Sequence, residues 1–386
     1  MKVSPSGQAN GDPVNRLAAC GVTRDNGLPS KLAVTASRNG DGNLAVVVWA
    51  VSNGGTPSVA ASRIEGSVSE VGVHDVGEFR FVVAMRDNEG RLRLIAYTVS
   101  ENGKTLTRRG TMVGEPVRDF AITSSSDTSV TVARRQNDRR VVVSTWKLDA
   151  NGMFGTESSV PLGDGKVTAL DVTGANQEFC FTAATDTGTH RLRAFKGPDT
   201  LGGAATGSKV RSVAIGVTSA PEGYWTACIE KDNASVRTGL NGITGRLILD
   251  TGMFDVTLWE FESGTLMSPL VRIATCRLEG MAGIAWELRV LISNENLCYV
   301  LARGADTYEA VLPRNQGKPK MRLFAFERQG DKIVRVGQGN ATGRHSLIAL
   351  APLQFTGPST THSMRLFTAA RDGNGKLKVT VWDVTD

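Results

Sequence analysis

The stretch VTASRNGDGNLAVVVW, from Val34 to Trp49, reads as two strand-like runs joined by a turn of Asn and Gly, and FTAARDGNGKLKVTVW, from Phe367 to Trp382, reads the same way. In each, an Arg (Arg38, Arg371) closes the first run and a Trp lies near the end of the second. Asn and Gly at the turn supply the positive φ that a tight hairpin requires. Five further copies lie between these two, so a seven-fold repeat governs the fold.

The aromatic near the end of the second run serves as a ruler: Trp49, Tyr97, Trp146, Phe195, Trp259, Phe326 and Trp382. The first three intervals are 48, 49 and 49 residues; the later ones lengthen to 64, 67 and 56. A further strand precedes each copy: VNRLAACG from Val14, VSEVGV from Val68, VRDFAI from Val117, VTALDV from Val167, VRSVAI from Val210, MAGIAW from Met281 and RHSLIAL from Arg344. Its apolar fourth position and mostly small fifth suit a strand crowded near an axis. Units of four short strands without helical spacing predict propeller blades. The chain resembles the seven-bladed β-propeller superfamily, which implies an all-β fold of four-stranded antiparallel blades in one domain spanning 1–386.

The expected blades are 13–64, 65–112, 113–161, 162–205, 206–277, 278–337, and 338–386 joined by 1–8. The last unit ends after its third strand, and the N-terminal segment is expected to complete it, removing two open sheet edges. The repeat lacks the WD dipeptide at its WD40 position, the kelch double glycine and the FG-GAP calcium signature. A looser similarity links the chain to the propeller part of bacterial natural-product enzymes that alkylate resorcinols, whose catalytic motifs match no residues here.

Composition is that of a turn-rich globular chain, with 43 Gly, 13 Pro and 21% charged residues. The five cysteines show no CxxC or Cys/His spacing, and four of them lie in strand-like runs where a Cys acts as a small apolar side chain. The N-terminus, MKVSPSGQANGDPVNR, lacks the apolar core of a signal peptide, and no apolar run is long enough to cross a bilayer, so a soluble, cytoplasmic chain without membrane contact is expected; a trimmed secreted form would read the same way. A net charge of +6 suits anionic ligands. The cluster Arg134, Arg135, Arg139 and Arg140 flanks one turn without a nucleic-acid-binding motif, and nucleic acid is not an expected partner.

Two adjacent units break the repeat. After Glu230 the fifth inserts residues 231–252, and after Arg303 the sixth inserts 304–320, on the side where the joining turns and the inter-blade connections emerge. Connections this long in a compact domain usually serve a function. Their apolar residues, Leu240, Ile243, Leu247 and Val311 among them, require burial against each other, the channel mouth or another copy of the chain. A lid over a mouth pocket is expected, with packing of the insertions on each other without a ligand, or homo-oligomerisation through them, as the alternatives.

Candidate site residues follow from this placement. The last position of the second strand reads Arg38, Arg86, Arg134, Thr185, Ile229, Arg303 and Arg371, a cationic rim in which each Arg is expected to pair with acids of its own turn, such as Asp87 and Asp372. Beside the axis the second position of the innermost strand reads Asn15, Ser69, Arg118, Thr168, Arg211, Ala282 and His345, and the third Arg16, Glu70, Asp119, Ala169, Ser212, Gly283 and Ser346. His345 and the lid residue Tyr308 are the candidates for proton transfer, and Arg118, Arg211, Glu230 and Arg303 for substrate binding, with Glu70 and Asp119 as further acid/base groups. The Asn/Gly turns lack calcium-loop spacing, the four histidines are too dispersed for a metal centre, and no nucleotide or hydrolase fingerprint is present, so neither metal nor cofactor is expected. The expected ligand is a partly apolar small organic molecule with an anionic or polar group. Cyclisation, alkylation, lyase or hydrolytic chemistry would suit it; a lectin-like or protein-interaction propeller is the alternative.

Overall fold

A computed structural model describes the chain except residues 25–27, 127, 163–165, 176–177, 186, 197–199, 218–222, 231–233, 241–242, 250–253, 263–267, 279–283, 295, 306–319, 342, 354–363 and 386. Blade 1 consists of the second half of β1 (Lys2–Thr23) with β2 (Pro29–Asn39), β3 (Asn43–Val51) and β4 (Pro57–Ser67). Blade 2 is β5 (Glu70–Gly77), β6 (Arg80–Arg86), β7 (Arg91–Val99) and β8 (Leu106–Pro116). Blade 3 is β9 (Asp119–Ser126), β10 (Ser129–Arg135), β11 (Val141–Leu148) and β12 (Phe154–Leu162). Blade 4 is β13 (Val167–Ala175), β14 (Glu178–Thr185), β15 (Thr189–Lys196) and the first half of β16 (Thr200–Val217). Blade 5 takes the rest of β16 with β17 (Gly223–Glu230), β20 (Phe254–Phe261) and β21 (Leu270–Leu278); between β17 and β20 the first insertion forms a separate hairpin, β18 (Ala234–Leu240) and β19 (Ile243–Leu249). Blade 6 is β22 (Ile284–Asn294), β23 (Leu297–Ala305), β24 (Lys320–Gln329) and β25 (Lys332–Ala341). Blade 7 is β26 (His345–Leu353), β27 (Met364–Asp372), β28 (Lys376–Thr385) and the first half of β1.

The fold is therefore the expected seven-bladed antiparallel propeller, closed by its N-terminal strand. Closure is more extensive than a short terminal segment: β1 pairs with β28 from Lys2 opposite Thr385 to Pro13 opposite Lys376, and then with β2 from Val14 onward. β16 likewise crosses between blades without a loop, pairing with β15 up to Lys209 and with β17 from Val210.

Side-chain alternation explains why the core lies between blades. In β3, Leu44, Val46 and Val48 pack with Phe81, Val83 and Tyr97 of blade 2, while Trp49 and Val51 pack with Phe367 and Val381 of blade 7. All seven ruler aromatics are buried, each removing about 150–250 Å² from water, roughly 4–6 kcal/mol against an extended chain. Three of the four ruler tryptophans satisfy their indole N–H on a strand threonine: Trp49 on Thr35 at 2.9 Å, Trp259 on Thr226 at 2.9 Å and Trp382 on Thr368 at 2.8 Å. Near the axis the small residues are sterically required. A Cβ on Gly21 would lie 2.1 Å from the Pro352 carbonyl oxygen, and one on Gly216 would lie 2.8 Å from Ile292.

One recurrent bond locks blade to blade. The N–H groups of Val14, Val68, Val117, Val167 and Val210 donate to the carbonyls of Gly375, Gly42, Gly90, Arg139 and Gly188 at 2.9, 2.9, 2.8, 3.1 and 2.6 Å. Each acceptor is the left-handed residue of the preceding blade's central hairpin, which turns its carbonyl outward to the next blade. The hairpins of blades 5 and 6, where the insertions sit, show no such bond among the described residues.

Candidate functional site in the axial channel

Strand register sorts the rim residues. Arg38, Arg86, Arg135, Ala184, Ile229, Arg303 and Arg371 lie opposite Leu44, Leu92, Val141, His190, Phe254, Met321 and Leu377, each five residues before a ruler aromatic. Arg135 and Ala184 thus hold the places expected for Arg134 and Thr185. A one-residue slip reverses the face, and Arg134 pairs instead with Glu115 and Glu157 at 3.2 and 2.9 Å.

The partners of the rim arginines differ from the acids of their own turns. Arg135 is held by Asp119 on the innermost strand and donates to the Val167 carbonyl at 2.7 Å, and Arg303 donates from Nε to Glu287 at 3.1 Å. Arg38 donates to the Val68 carbonyl at 2.8 Å, and Arg371 to Ser346 at 3.4 Å. Glu70, opposite Arg86, takes Arg16 at 2.9 Å. Asp87 and Asp372 cap their own turns, accepting backbone N–H groups at 2.9–3.0 Å.

On the innermost strands the residues opposite the rim row are Arg16, Glu70, Asp119, Ala169, Ser212, Glu287 and Leu347, so Glu287 and Leu347 take the places expected for Gly283 and Ser346. This shift moves His345 into the row of Val14, Val68, Val117, Val167 and Val210. It is 1% exposed, and neither ring nitrogen meets a hydrogen-bond partner of normal geometry among the described residues. Burial, aided by the nearby Lys378 charge, lowers its pKa to about 4. Arg118 is exposed on the rim, and Arg303 is paired with Glu287. Tyr308 and the side chains of Arg211 and Glu230 lie outside the described residues. Among the candidates that are described, Arg118, Arg303 and His345 share no hydrogen bond, ion pair or pocket.

What the innermost strands do bring together lies deeper. Two connected pockets of about 350 and 250 Å³ run along the axis, and Ala19, Ile122, Asp171, Arg289 and Leu350 line both. Asp171 accepts from the N–H of Val172 at 3.0 Å and from the N–H of Ile215 on the adjacent blade at 3.1 Å. Arg289 is tethered by Glu287 at 2.7 Å and the Leu288 carbonyl at 2.8 Å, yet its side chain is 42% exposed, so it faces open channel. The two share the space with no hydrogen bond or ion pair between them. Burial raises the Asp171 carboxyl to about 6, opposed by the Arg289 charge. In the larger pocket Asp75 accepts from Thr23 Oγ1 at 2.6 Å and Thr23 N–H at 3.1 Å; burial raises it to about 6 and lowers neighbouring His74 to about 4.

The channel therefore offers acceptors at Asp75 and Asp171, a donor fork at Arg289, and apolar walls of Ile122, Ile215, Val290 and Leu350. Sequence reasoning passed over these acids although each interrupts an apolar inner strand, Asp171 within VTALDV and Asp75 just beyond VSEVGV. That interruption was the available signal. Among the described residues no cluster of three His, Cys, Asp or Glu could hold a metal. Cys20, Cys180, Cys228 and Cys298 are buried free thiols, and Cys276 is half-buried.

No family model and no curated protein matches the chain. Among solved structures, the WD40 domain of coronin from Toxoplasma gondii superposes with a TM-score of 0.57 at 9% identity, over 98% of this chain and 89% of that one. At that identity the likeness is one of fold alone. Strand order, closure through β1 and this similarity together make the chain a seven-bladed β-propeller.

Proposed function

We propose that the chain binds a small, partly apolar organic molecule in the axial channel, where the ligand bridges Asp171 and Arg289. The observation that carries this reading is the pair itself: a carboxylate and a guanidinium share one pocket without joining. A ligand presenting an acceptor or anionic group to Arg289 and an N–H or O–H to Asp171, its apolar body against Ile122, Ile215 and Leu350, would satisfy both. Any acid/base step would fall to Asp171, whose raised pKa lets it exchange a proton near neutrality. The first insertion carries the β18–β19 hairpin, and the lid expected from the second falls on 306–319, outside the described residues. Exposed Val59 and Ile64 on β4 and Val113 on β8, outer strands of adjacent blades, favour a protein-interaction role as the second reading.

A thermal-shift panel of apolar α-amino acids and their amides tests the channel. Stabilising compounds are expected to lose their effect in Arg289→Gln and Asp171→Asn and keep it in Arg118→Gln. Hits that stabilise all variants equally would place binding elsewhere.

A further inference from the structure

Asp75 lines the larger channel pocket on a different level from Asp171 and Arg289. Counted from the rim row, Asp171 and Arg289 each stand two residues beyond Ala169 and Glu287, whereas Asp75 stands five beyond Glu70. The difference of three strand residues sets the two levels about 10 Å apart. Thr23 of blade 1 holds the Asp75 carboxylate through its N–H at 3.1 Å and its hydroxyl at 2.6 Å; with the Gly77 N–H this still leaves acceptor capacity toward the pocket. His74 lines the same space, and among the described residues no hydrogen bond or ion pair reaches its ring. Burial lowers its pKa to about 4, so at neutral pH the imidazole is uncharged and keeps an acceptor nitrogen. Carboxylate outnumbers cation along the pocket: Asp75 and Asp171 share it with one guanidinium, Arg289, which is already bonded to Glu287 at 2.7 Å. Arg80, whose charge reaches Asp75, is itself turned to Glu78 at 2.8 Å.

We propose that Asp75 and His74 form a subsite for a primary ammonium group, which narrows the channel ligand to an amine-bearing carboxylate or amide. The inference rests on the Asp171–Arg289 reading above and adds a third point of contact to it. An ammonium group donates three hydrogen bonds and accepts none, which matches a carboxylate with open acceptor positions beside a neutral imidazole nitrogen. A cation also offsets the second buried carboxylate, as a hydroxyl would not. With a carboxylate on Arg289 and an amide N–H on Asp171, a side chain of lysine length reaches Asp75 once a hydrogen bond is added at each end. Ile215, Val290 and Ile292 supply apolar wall for the methylenes between.

Calorimetric titration of N-acetyl-lysine, and of the analogue with a methyl in place of its ammonium, into the full chain tests this. The lysine compound is expected to bind about tenfold more tightly than the analogue. Asp75→Asn should abolish that preference and leave the affinity for the analogue unchanged, which shows the channel to be intact. His74→Phe, which keeps the contact between Asp75 and Thr23, should reduce the preference about threefold, and it decides the matter if Asp75→Asn does not fold. Arg289→Gln should weaken both compounds alike. Equal affinity for the two compounds in the unaltered chain, or a preference undiminished in either folded variant, would overturn the subsite while the channel reading stands. Failure of both compounds to bind would overturn the channel reading and the subsite with it.

Discussion

Arg38 of blade 1 donates to the carbonyl of Val68 at 2.8 Å, and the N–H of the same Val68 donates back to Gly42 of blade 1 at 2.9 Å. One residue at the start of blade 2 is thus held through both its N–H and its carbonyl by the hairpin before it. Arg135 repeats the arrangement on Val167, where the returning N–H reaches Arg139. Substituting Arg135 with Met is expected to remove the Asp119 pair and the carbonyl bond together, lowering stability by about 2 kcal/mol. Urea denaturation measures it, and an unchanged midpoint would show the clamp to be ornamental.

Arg139 occupies the left-handed position that glycine fills in the four other locked hairpins, with φ of 71°. Its side chain is exposed, so Arg139→Gly exchanges backbone strain for chain entropy. A net gain of up to about 1 kcal/mol is expected, against a loss for Gly42→Ala, which forces an L side chain into the same conformation.

Trp382 and Thr368 form a buried donor–acceptor pair at 2.8 Å. Trp382→Phe strips the hydroxyl of its donor and leaves a void, for an expected loss of about 2–3 kcal/mol. In a double-mutant cycle with Thr368→Val the two changes should fall short of additivity by about 1 kcal/mol. Additive effects would mean that the bond contributes nothing beyond packing.

Stability between pH 4 and 6.5 sets two groups of buried residues against each other. His74, His190 and His345 are lowered by burial to about 4, so the unfolded chain takes up protons that the folded chain refuses, and stability present above about 6.5 is lost as pH falls toward 4. Asp75 and Asp171 are raised to about 6 by burial, and their contribution is present below about 4 and lost as pH rises through 6. His190 is buried at 3% exposure between Thr182 and Cys228. Replacing it with Leu, the residue at this place in blades 1, 2 and 7, should remove on the order of 3 kcal/mol of the rise from pH 4 to 6.5. Thermal melts across that window check the slope, which Asp171→Asn should instead steepen.

The ring was readable from sequence because its markers, an aromatic at constant distance from the hairpin and a valine opening most inner strands, perform the same packing task in every blade. Legibility failed where that task was shared between neighbours in the chain. Arg134 and Arg135 are adjacent, and only pairing decides which faces the rim. The segment from Met281 imitates an inner strand through its small residues, whereas β22 begins at Ile284 and places Ala285 in the valine row. His345 looked like a channel residue for the same reason, and the register sets it in the wall. Asp75 and Asp171 escaped notice because they occupy different offsets on their strands, Asp171 four residues and Asp75 seven after the opening valine. A repeat reveals what every blade has in common and conceals what one blade does alone.

The pairing of Lys2 with Thr385 at the end of the β1–β28 ladder has a mechanical consequence. Both ends of the chain leave from the same rung of an antiparallel ladder, so a force drawing them apart strains one hydrogen-bonded rung at a time rather than shearing the whole strand. Tugged by its ends, the ring should peel open rung by rung at low force, its seam a zipper whose pull-tab is the pair of termini.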